Sequence, residues 1–337
     1  MYIIRCPNVN SDIKTLILRR DEMNRSTSFA VSVICIVSTA FLVLFSGILP
    51  VCSVLFMMLA SVVSAYCFLR GGIVATIINI VVSSLLSLLI GGFHPVMLII
   101  PLMGIAPGII SGVLISRKAD YYVRLLWTAS GFLIVYLFSM YLSGIVMNGG
   151  FSGMFDEMGD SAKIMLNQIL SGEASVKTEE ANAFVDSVVH FSKMVFPSIL
   201  ILFSAVIGYV HVVLLNLFIR KFGGSKADYV CFDSHCAPKS MSYIYFAASV
   251  IIMFAAETGA ISVVLNNIVM ILDTILAFCG LSFIEYKFKV NLKYGFVRWF
   301  IYVVAILVTS NIAIQLLSVI GMIDSFYDFR KVKRLGE

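Results

Sequence analysis

Long apolar stretches separated by short polar turns dominate the pattern along the chain. Crossing the apolar core of a bilayer takes about 20 helical residues, and eight of the nine stretches are long enough, whereas 241–256 is marginal. The pattern predicts an all-α, polytopic transmembrane helical bundle of eight or nine segments. The nine stretches lie at approximately 28–49, 51–69, 72–91, 96–116, 123–147, 194–219, 241–256, 260–284 and 296–322.

Composition excludes a soluble protein. Apolar residues make up 60% of the chain and charged residues only 13%, whereas a soluble domain carries roughly 25% charged residues. The lipid bilayer must therefore be the solvent for most of the chain. The seven cysteines are an odd number, and those within apolar stretches indicate buried thiols, not a disulfide framework: Cys35, Cys67 and Cys279.

Positive charge predicts the orientation. Of the 24 Lys and Arg residues, 17 fall in segments that are cytoplasmic if the N-terminus is cytoplasmic, and three fall in the outward segment 148–193. This is the bias expected for a bacterial inner-membrane protein, and it argues against nucleic acid as a partner. The 1–27 tail and the 221–240 loop are then cytoplasmic. The basic tail 323–337 lies outside if all nine segments cross, and inside if 241–256 is re-entrant.

The start of the chain leaves two alternatives open. Met23 stands directly before the first apolar stretch and is an alternative start to Met1. If Met1 is the start, residues 1–22 are an ordinary cytoplasmic tail. If Met23 is the start, residues 1–22 are not part of the protein.

The segment 148–193 is the sizeable polar insertion, with seven acidic residues against three lysines. Its apolar residues recur at helical spacing in two stretches that are too short and too charged to span. The pattern predicts a helical cap on the outer membrane surface or over the mouth of the bundle. The two stretches are Ile164, Met165, Ile169 and Leu170, then Phe184, Val185, Val188, Val189 and Phe191 after Thr178-Glu179-Glu180.

Segment four presents a face of small residues. Gly104, Gly108 and Gly112 are four residues apart and lie on one helix face. Small residues let a second backbone approach closely, which is how membrane helices associate. We predict helix packing at this face.

Several polar residues interrupt the apolar segments. Asn79 lies in a stripe with Ala75, Ser83 and Ser87, spaced four residues apart. If this stripe faced lipid, the Asn79 amide would have no hydrogen-bond partner, which would cost several kcal/mol. The stripe therefore faces the interior, either for interhelical hydrogen bonding or as part of a polar pocket. His211 and Asp273 lie within segments six and eight, and ionisable groups at bilayer depth mark pathways or binding sites. Further polar residues accompany them, namely Asn216, Asn266, Asn267, Asn311, Gln315 and Ser318, while His94 and Glu257 sit at outward helix ends.

No pattern indicates an enzyme, a cofactor or a metal. Cys231, His235 and Cys236 are close together, but a structural zinc site needs four ligands and no matching pair stands nearby. Gly223-Gly224-Ser225-Lys226 lacks the spacing of a nucleotide-binding P-loop.

Two stretches of the sequence resemble known families. The first resemblance rests on three features that follow one another along the chain. They are Leu69-Arg70-Gly71-Gly72, the stripe through Asn79, and Pro101-Leu-Met-Gly-Ile-Ala-Pro-Gly-Ile-Ile-Ser-Gly-Val-Leu-Ile-Ser-Arg-Lys118. Together they resemble the substrate-capture (S) subunits of energy-coupling-factor transporters, which implies a six-helix bundle over 28–220 that binds a vitamin or metal. The whole chain, with its ending Ile320-Gly-Met-Ile-Asp324-Ser-Phe-Tyr-Asp328-Phe-Arg330-Lys331, resembles the YybS-like family of uncharacterised bacterial membrane proteins.

Two functions are consistent with these features. The first is a small-molecule binding or uptake component, with Asn79, His211 and Asp273 as candidate substrate-binding residues. Separate membrane and ATPase subunits would then supply energy. The second is a scaffold or regulatory protein of the cell envelope with no transported substrate. The two differ in whether the three polar residues meet around one cavity.

Overall fold

The computed structural model describes residues 25–90, 99–146, 150–170, 175–222, 230–254, 259–291, 311–327 and 329–330. Within these ranges it contains nine α-helices and no strand, which confirms the predicted all-α polytopic bundle. The helices are α1 (Arg25–Ile48), α2 (Ser53–Ile90), α3 (Ile99–Ser116), α4 (Tyr121–Val146), α5 (Gly150–Leu170), α6 (Ser175–Phe222), α7 (Lys239–Phe254), α8 (Ala260–Asn291) and α9 (Asn311–Tyr327).

Each predicted apolar stretch is α-helical where the structure describes it, apart from Leu49 and the short 3-10 turn Pro50–Cys52. Five of the described helices are long and apolar enough to cross a membrane, namely α1, α2, α4, α6 and α8. The apolar parts of α3, α7 and α9 are shorter. His94, Glu257, the Gly223-to-Lys226 turn and the alternative start at Met23 lie outside the described residues.

Helix α2 is two antiparallel arms joined at Gly72. Gly72 has φ 68° and ψ −159°, outside the helical region and accessible to glycine because it lacks a Cβ. The Asn79 amide donates to Ser64 Oγ at 3.4 Å, although 15 residues of straight helix would separate them by about 22 Å. The chain therefore reverses at Gly72, and the arms 53–71 and 73–90 correspond to the separately predicted segments 51–69 and 72–91.

The described helices fall into two compact units. The N-terminal unit contains α1–α5 and the parts of α6 before residue 194 and after residue 202. The C-terminal unit contains residues 194–202 of α6 and the described residues from 230 onward.

The core of the N-terminal unit joins α1, both arms of α2 and the end of α6. Its buried side chains include Cys35, Val62, Ala75 and Leu215. Arg70, at the α2 reversal, donates through Nη2 to the carbonyl of Phe222, the last residue of α6, at 3.0 Å. A cation at this position satisfies one of the carbonyls that a helix leaves unpaired at its C-terminus.

The three glycines of α3 lie against the first arm of α2. A Cβ at Gly104 would be 3.2 Å from Ala60 Cβ, one at Gly108 would overlap the Ser61 carbonyl oxygen, and one at Gly112 would be 3.0 Å from the Phe68 ring. The contact positions rise together along both helices, so α3 runs parallel to this arm. Backbone approach of this kind requires glycine.

The polar insertion forms a helical hairpin. Lys163 pairs with Asp186 at 2.5 Å and Lys193 with Asp156 at 2.6 Å, and a Cβ at Gly159 would be 2.9 Å from Val189. This register places α5 antiparallel to residues 175–193 of α6. The second amphipathic stretch, expected as part of a helical cap, is continuous with the sixth apolar segment in one helix of 48 residues.

In the C-terminal unit, α8 and α9 cross at two glycines. A Cβ at Gly280 would overlap the Leu317 carbonyl oxygen, and one at Gly321 would overlap the Leu276 carbonyl oxygen. The two backbones touch without intervening side chains. This contact brings the end of α9 beside the 231–236 segment described below.

Candidate functional site

A layer of buried polar side chains crosses the N-terminal unit. Its first members are Asn79 and Ser64 on the two arms of α2, both fully buried. Asn79 Oδ1 also accepts a 3.5 Å hydrogen bond from the Ser83 hydroxyl. Asn79 thus faces the interior, and its bonds at 3.4–3.5 Å are at the long limit for hydrogen bonds.

Helices α4 and α6 place His211 in the same unit. Arg124 Nη1 donates to Asn216 Oδ1 at 3.2 Å, and the Phe132 and His211 rings are edge to face with centroids 5.8 Å apart. Because α4 and α6 run antiparallel, Thr128, one turn from both Arg124 and Phe132, lies on the face that meets His211.

Helix α3 links the two halves of this layer. Gly112 lies against Ala65 of α2, which places Ser111 at the level of Ser64. Gly131 of α4 lies against Pro107 and Ile110 of α3. Ser111 is one turn after Pro107 and Thr128 is nearly one turn before Gly131, so the two lie opposite each other. We define the polar layer by this register as Ser64, Asn79, Ser111, Thr128 and His211, all at most 1% exposed.

The layer contains polar atoms without a partner. Within the described residues, both ring nitrogens of His211, the Ser111 hydroxyl and the Thr128 hydroxyl make no hydrogen bond. Each such buried group typically costs about 1–3 kcal/mol. These four atoms lie at one level of an apolar bundle, where each leaves its hydrogen-bonding capacity unused.

Asp273 belongs to the C-terminal unit. Its Oδ1 accepts a hydrogen bond from the Tyr245 hydroxyl at 3.1 Å. Asn266, one of the expected companions of Asp273, uses its amide on the Ser262 carbonyl of its own helix at 3.0 Å. Asn79 and His211 therefore share a unit, whereas the pairing of Asp273 with His211 stays a prediction.

A second polar cluster lies in the C-terminal unit around Arg330. Its guanidinium pairs with Asp324 at 2.8 Å and donates to Ser282 Oγ at 3.0 Å. It also donates to the backbone oxygens of Asp233 at 2.6 Å and Cys279 at 3.1 Å. The basic tail predicted from residue 323 onward thus begins with a helical turn and a buried arginine.

The 231–236 segment is fastened to the same cluster. The Ser282 hydroxyl lies within 2.6 Å of the Phe232 carbonyl and 2.9 Å of the His235 carbonyl. The Cys236 thiol contacts Asp324 Oδ2 at 3.6 Å. Burial, and then the Asp324 charge, raise the pKa of Cys236 to about 12, and burial lowers the pKa of His235. In the described residues no three His, Cys, Asp or Glu side chains are arranged to hold a metal ion.

Sequence reasoning did not single out Ser111 or Thr128 as site residues. The sequence feature that could have indicated them is their spacing. Thr128 lies four residues from both Arg124 and Phe132, and Ser111 lies beside Gly112 on the glycine-containing helix α3. Hydroxyl residues are common in membrane helices, so only the register between helices identifies them.

Comparison with known families identifies the chain. The sequence profile of DUF2232, described as a predicted membrane protein family, matches residues 37–325. The chain belongs to this family. The match begins within α1 and ends at Ser325 in α9, so it spans both units. No curated protein and no solved structure matches the chain.

Proposed function

We propose that this protein is a small-molecule binding or uptake component of the bacterial cell membrane, and that the polar layer holds its ligand. The observation that carries the proposal is the set of unpaired polar atoms on His211, Thr128 and Ser111. In an apolar bundle these atoms need a partner. A bound polar ligand supplies one.

The chemistry of the layer favours an uncharged or anionic ligand over a cation. Among the described residues, the buried carboxylates are Glu285 and Asp324, and both belong to the C-terminal unit. Arg124, 4% exposed, lies one turn from Thr128. A cation would meet no neutralising carboxylate in the layer and would remain desolvated.

Energy would come from separate membrane and ATPase subunits, since the sequence has no nucleotide-binding motif. Copurification of such subunits with the tagged protein is the expected consequence.

Native mass spectrometry of the purified protein tests ligand binding. We expect a bound small molecule on the wild type, and its loss in His211→Gln and in the nearly isosteric Thr128→Val. The matched control is His190→Gln, because His190 is exposed on α6, and this variant should keep the bound molecule.

Thermal unfolding separates binding from structure. If nothing binds in the layer, Thr128→Val removes an unpaired buried hydroxyl, so the free energy of unfolding should rise by about 1 kcal/mol and the Tm should rise with it. A wild type without bound mass, together with a stabilised Thr128→Val variant, would overturn the proposal.

The rival function is a membrane scaffold or regulatory protein. The hydrogen bonds from Asn79 to Ser64 and Ser83 favour it, because they use one polar residue for helix packing. It requires no bound molecule and no copurifying ATPase.

A further inference from the structure

The hairpin of α5 and residues 175–193 carries its ion pairs and a set of exposed apolar side chains on opposite faces. Lys163 pairs with Asp186, and Lys193 pairs with Asp156, on one face. Two positions along a helix turn the side chain by about 200°, so residues two positions from these charges lie on the other face. They include five large side chains, each between 46% and 69% exposed, which we call the apolar face: Met158, Met165, Phe184, Val188 and Phe191.

The ion pairs also determine which residues of the apolar face are neighbours. In antiparallel helices, the pairing of residue 156 with 193 and of 163 with 186 places Met158 beside Phe191 and Met165 beside Phe184. Val188 lies between these two pairs along α6. The contact of Gly159 with Val189 has nearly the same register. The apolar face is therefore one continuous strip along the hairpin.

The outer part of this face is too far from the bilayer to contact lipid. Helix α6 has 48 residues and is about 72 Å long, whereas the apolar core of a bilayer is about 30 Å thick. The ion pair of Lys193 with Asp156 lies outside that core, because charges at bilayer depth are costly. Phe184 is nine residues further out, about 14 Å along the helix, and the headgroup layer is only about 5–8 Å thick. Phe184 and its neighbour Met165 therefore lie in water.

The apolar face has the size and composition of a protein interface. Its five side chains offer on the order of 600 Å², since an aromatic side chain alone presents about 150–250 Å². A standard interface takes about 800 Å² from each partner, and methionine and phenylalanine are enriched there. Apolar patches of this size in water mark sites of interaction.

A second copy of this chain fits the apolar face. Helix α6 continues from the hairpin into its spanning part, so the face runs along the direction in which α6 crosses the membrane and points sideways. Copies in one membrane share their orientation, and a two-fold axis along the membrane normal brings two such faces together at equal height. The ion pairs then lie on the outside, so no like charges meet.

We propose that this protein forms a homodimer through the apolar face of its hairpin. Helix α5 and residues 175–193 of the two copies form a four-helix bundle outside the membrane, with Met165 and Phe184 in its core. This interface goes beyond ligand binding and does not require it.

Sedimentation equilibrium of the full chain in detergent tests the dimer. We expect a dimeric wild type and a dissociation constant raised about tenfold or more in Met165→Glu, because the interface would desolvate a charge from each copy. The matched control is Ile164→Glu. Ile164 is 60% exposed and Met165 68%, but one position turns Ile164 about 100° away from the apolar face, so this variant should dimerise as the wild type does. A monomeric wild type, or an equal rise in both variants, would overturn the proposal.

Photocrosslinking in cell membranes identifies the partner without a destabilising charge. With benzoylphenylalanine in place of Phe184, we expect a product of twice the mass of the chain, and with the same group in place of Ile164 no such product. Phenylalanine and benzoylphenylalanine are both aromatic, so this chain should fold even if Met165→Glu does not. A crosslink at 184 only to lipid or to a different protein, or no crosslink there, would contradict the homodimer.

Discussion

Asp324 and Arg330 form an ion pair of 2.8 Å in which the side chains are 1% and 0% exposed. The arginine also reaches two backbone carbonyls and the Ser282 hydroxyl. A buried pair of this kind stabilises only if its remaining donors are also satisfied. The pair joins the end of α9 to α8 and to the 231–236 segment.

Arg330→Met should lower stability by about 3–5 kcal/mol, because it removes the cation beside a buried carboxylate. Thermal unfolding in detergent measures the loss. The double variant Arg330→Met with Asp324→Leu should regain much of it, since neither charge is then buried. A single variant with the wild-type Tm would show that the pair is exposed in solution.

Gly108→Ala should destabilise the N-terminal unit, because its Cβ would overlap the Ser61 carbonyl oxygen. Overpacking of this kind costs about 1–3 kcal/mol. Gly153→Ala is the matched control, since a Cβ there meets nothing within 4 Å, and it should be neutral or slightly stabilising. Equal Tm values for the two variants would contradict the close approach of α3 and α2.

Apolar periodicity and bilayer thickness predicted most of this fold. Helices α1, α4 and α8 coincide with their predicted stretches because a membrane leaves the backbone no alternative to helix at those lengths. The interior position of Asn79 followed from the cost of exposing an amide to lipid.

Other features depend on contacts between distant positions, which hydropathy does not contain. Arg330 counted as part of a basic tail, because its partners Ser282 and Asp233 lie 48 and 97 residues away. Thr128 and Ser111 were indistinguishable from other helical hydroxyls. Asn267 was noted only beside Asp273, since nothing in the sequence pairs it with Ser198, which lies 69 residues away.

Asp273 and Tyr245 should be coupled. Removing either partner of the 3.1 Å hydrogen bond, in Tyr245→Phe or Asp273→Asn, should cost about 1 kcal/mol, and the double variant should cost less than the two together. If Asp273 also binds substrate or carries protons, Asp273→Asn abolishes growth complementation while Tyr245→Phe does not. A functional Asp273→Asn protein removes Asp273 from the site.

Orientation is tested with cysteines introduced in place of Asp160, Glu180, Lys221 and Lys289. The charge asymmetry predicts that an impermeant maleimide labels the first two in intact cells and the last two only after lysis. The reverse pattern would invert the topology.

Alkylation of Cys236 should depend steeply on pH. With a pKa of about 12, its thiolate fraction rises roughly tenfold per pH unit between pH 8 and 10, so the iodoacetamide rate should climb without a plateau. The exposed Cys52 is the reference for access. Because the folded pKa exceeds the ordinary value of 9.0, this thiol makes the fold less stable as pH rises above 9. A plateau below pH 9 would show that the 231–236 segment leaves Cys236 open to solvent.

The reversal at Gly72 also determines how this part of the chain enters the bilayer during biosynthesis. The arms of α2 meet with no loop between them, and Arg70 is the single charged residue of the helix. If one arm entered lipid alone, the other would hold a stretch of nearly twenty residues, most of them apolar, in water, at a cost of about 0.8 kcal/mol for each exposed methylene. We therefore expect both arms to enter the bilayer together, as one helical hairpin.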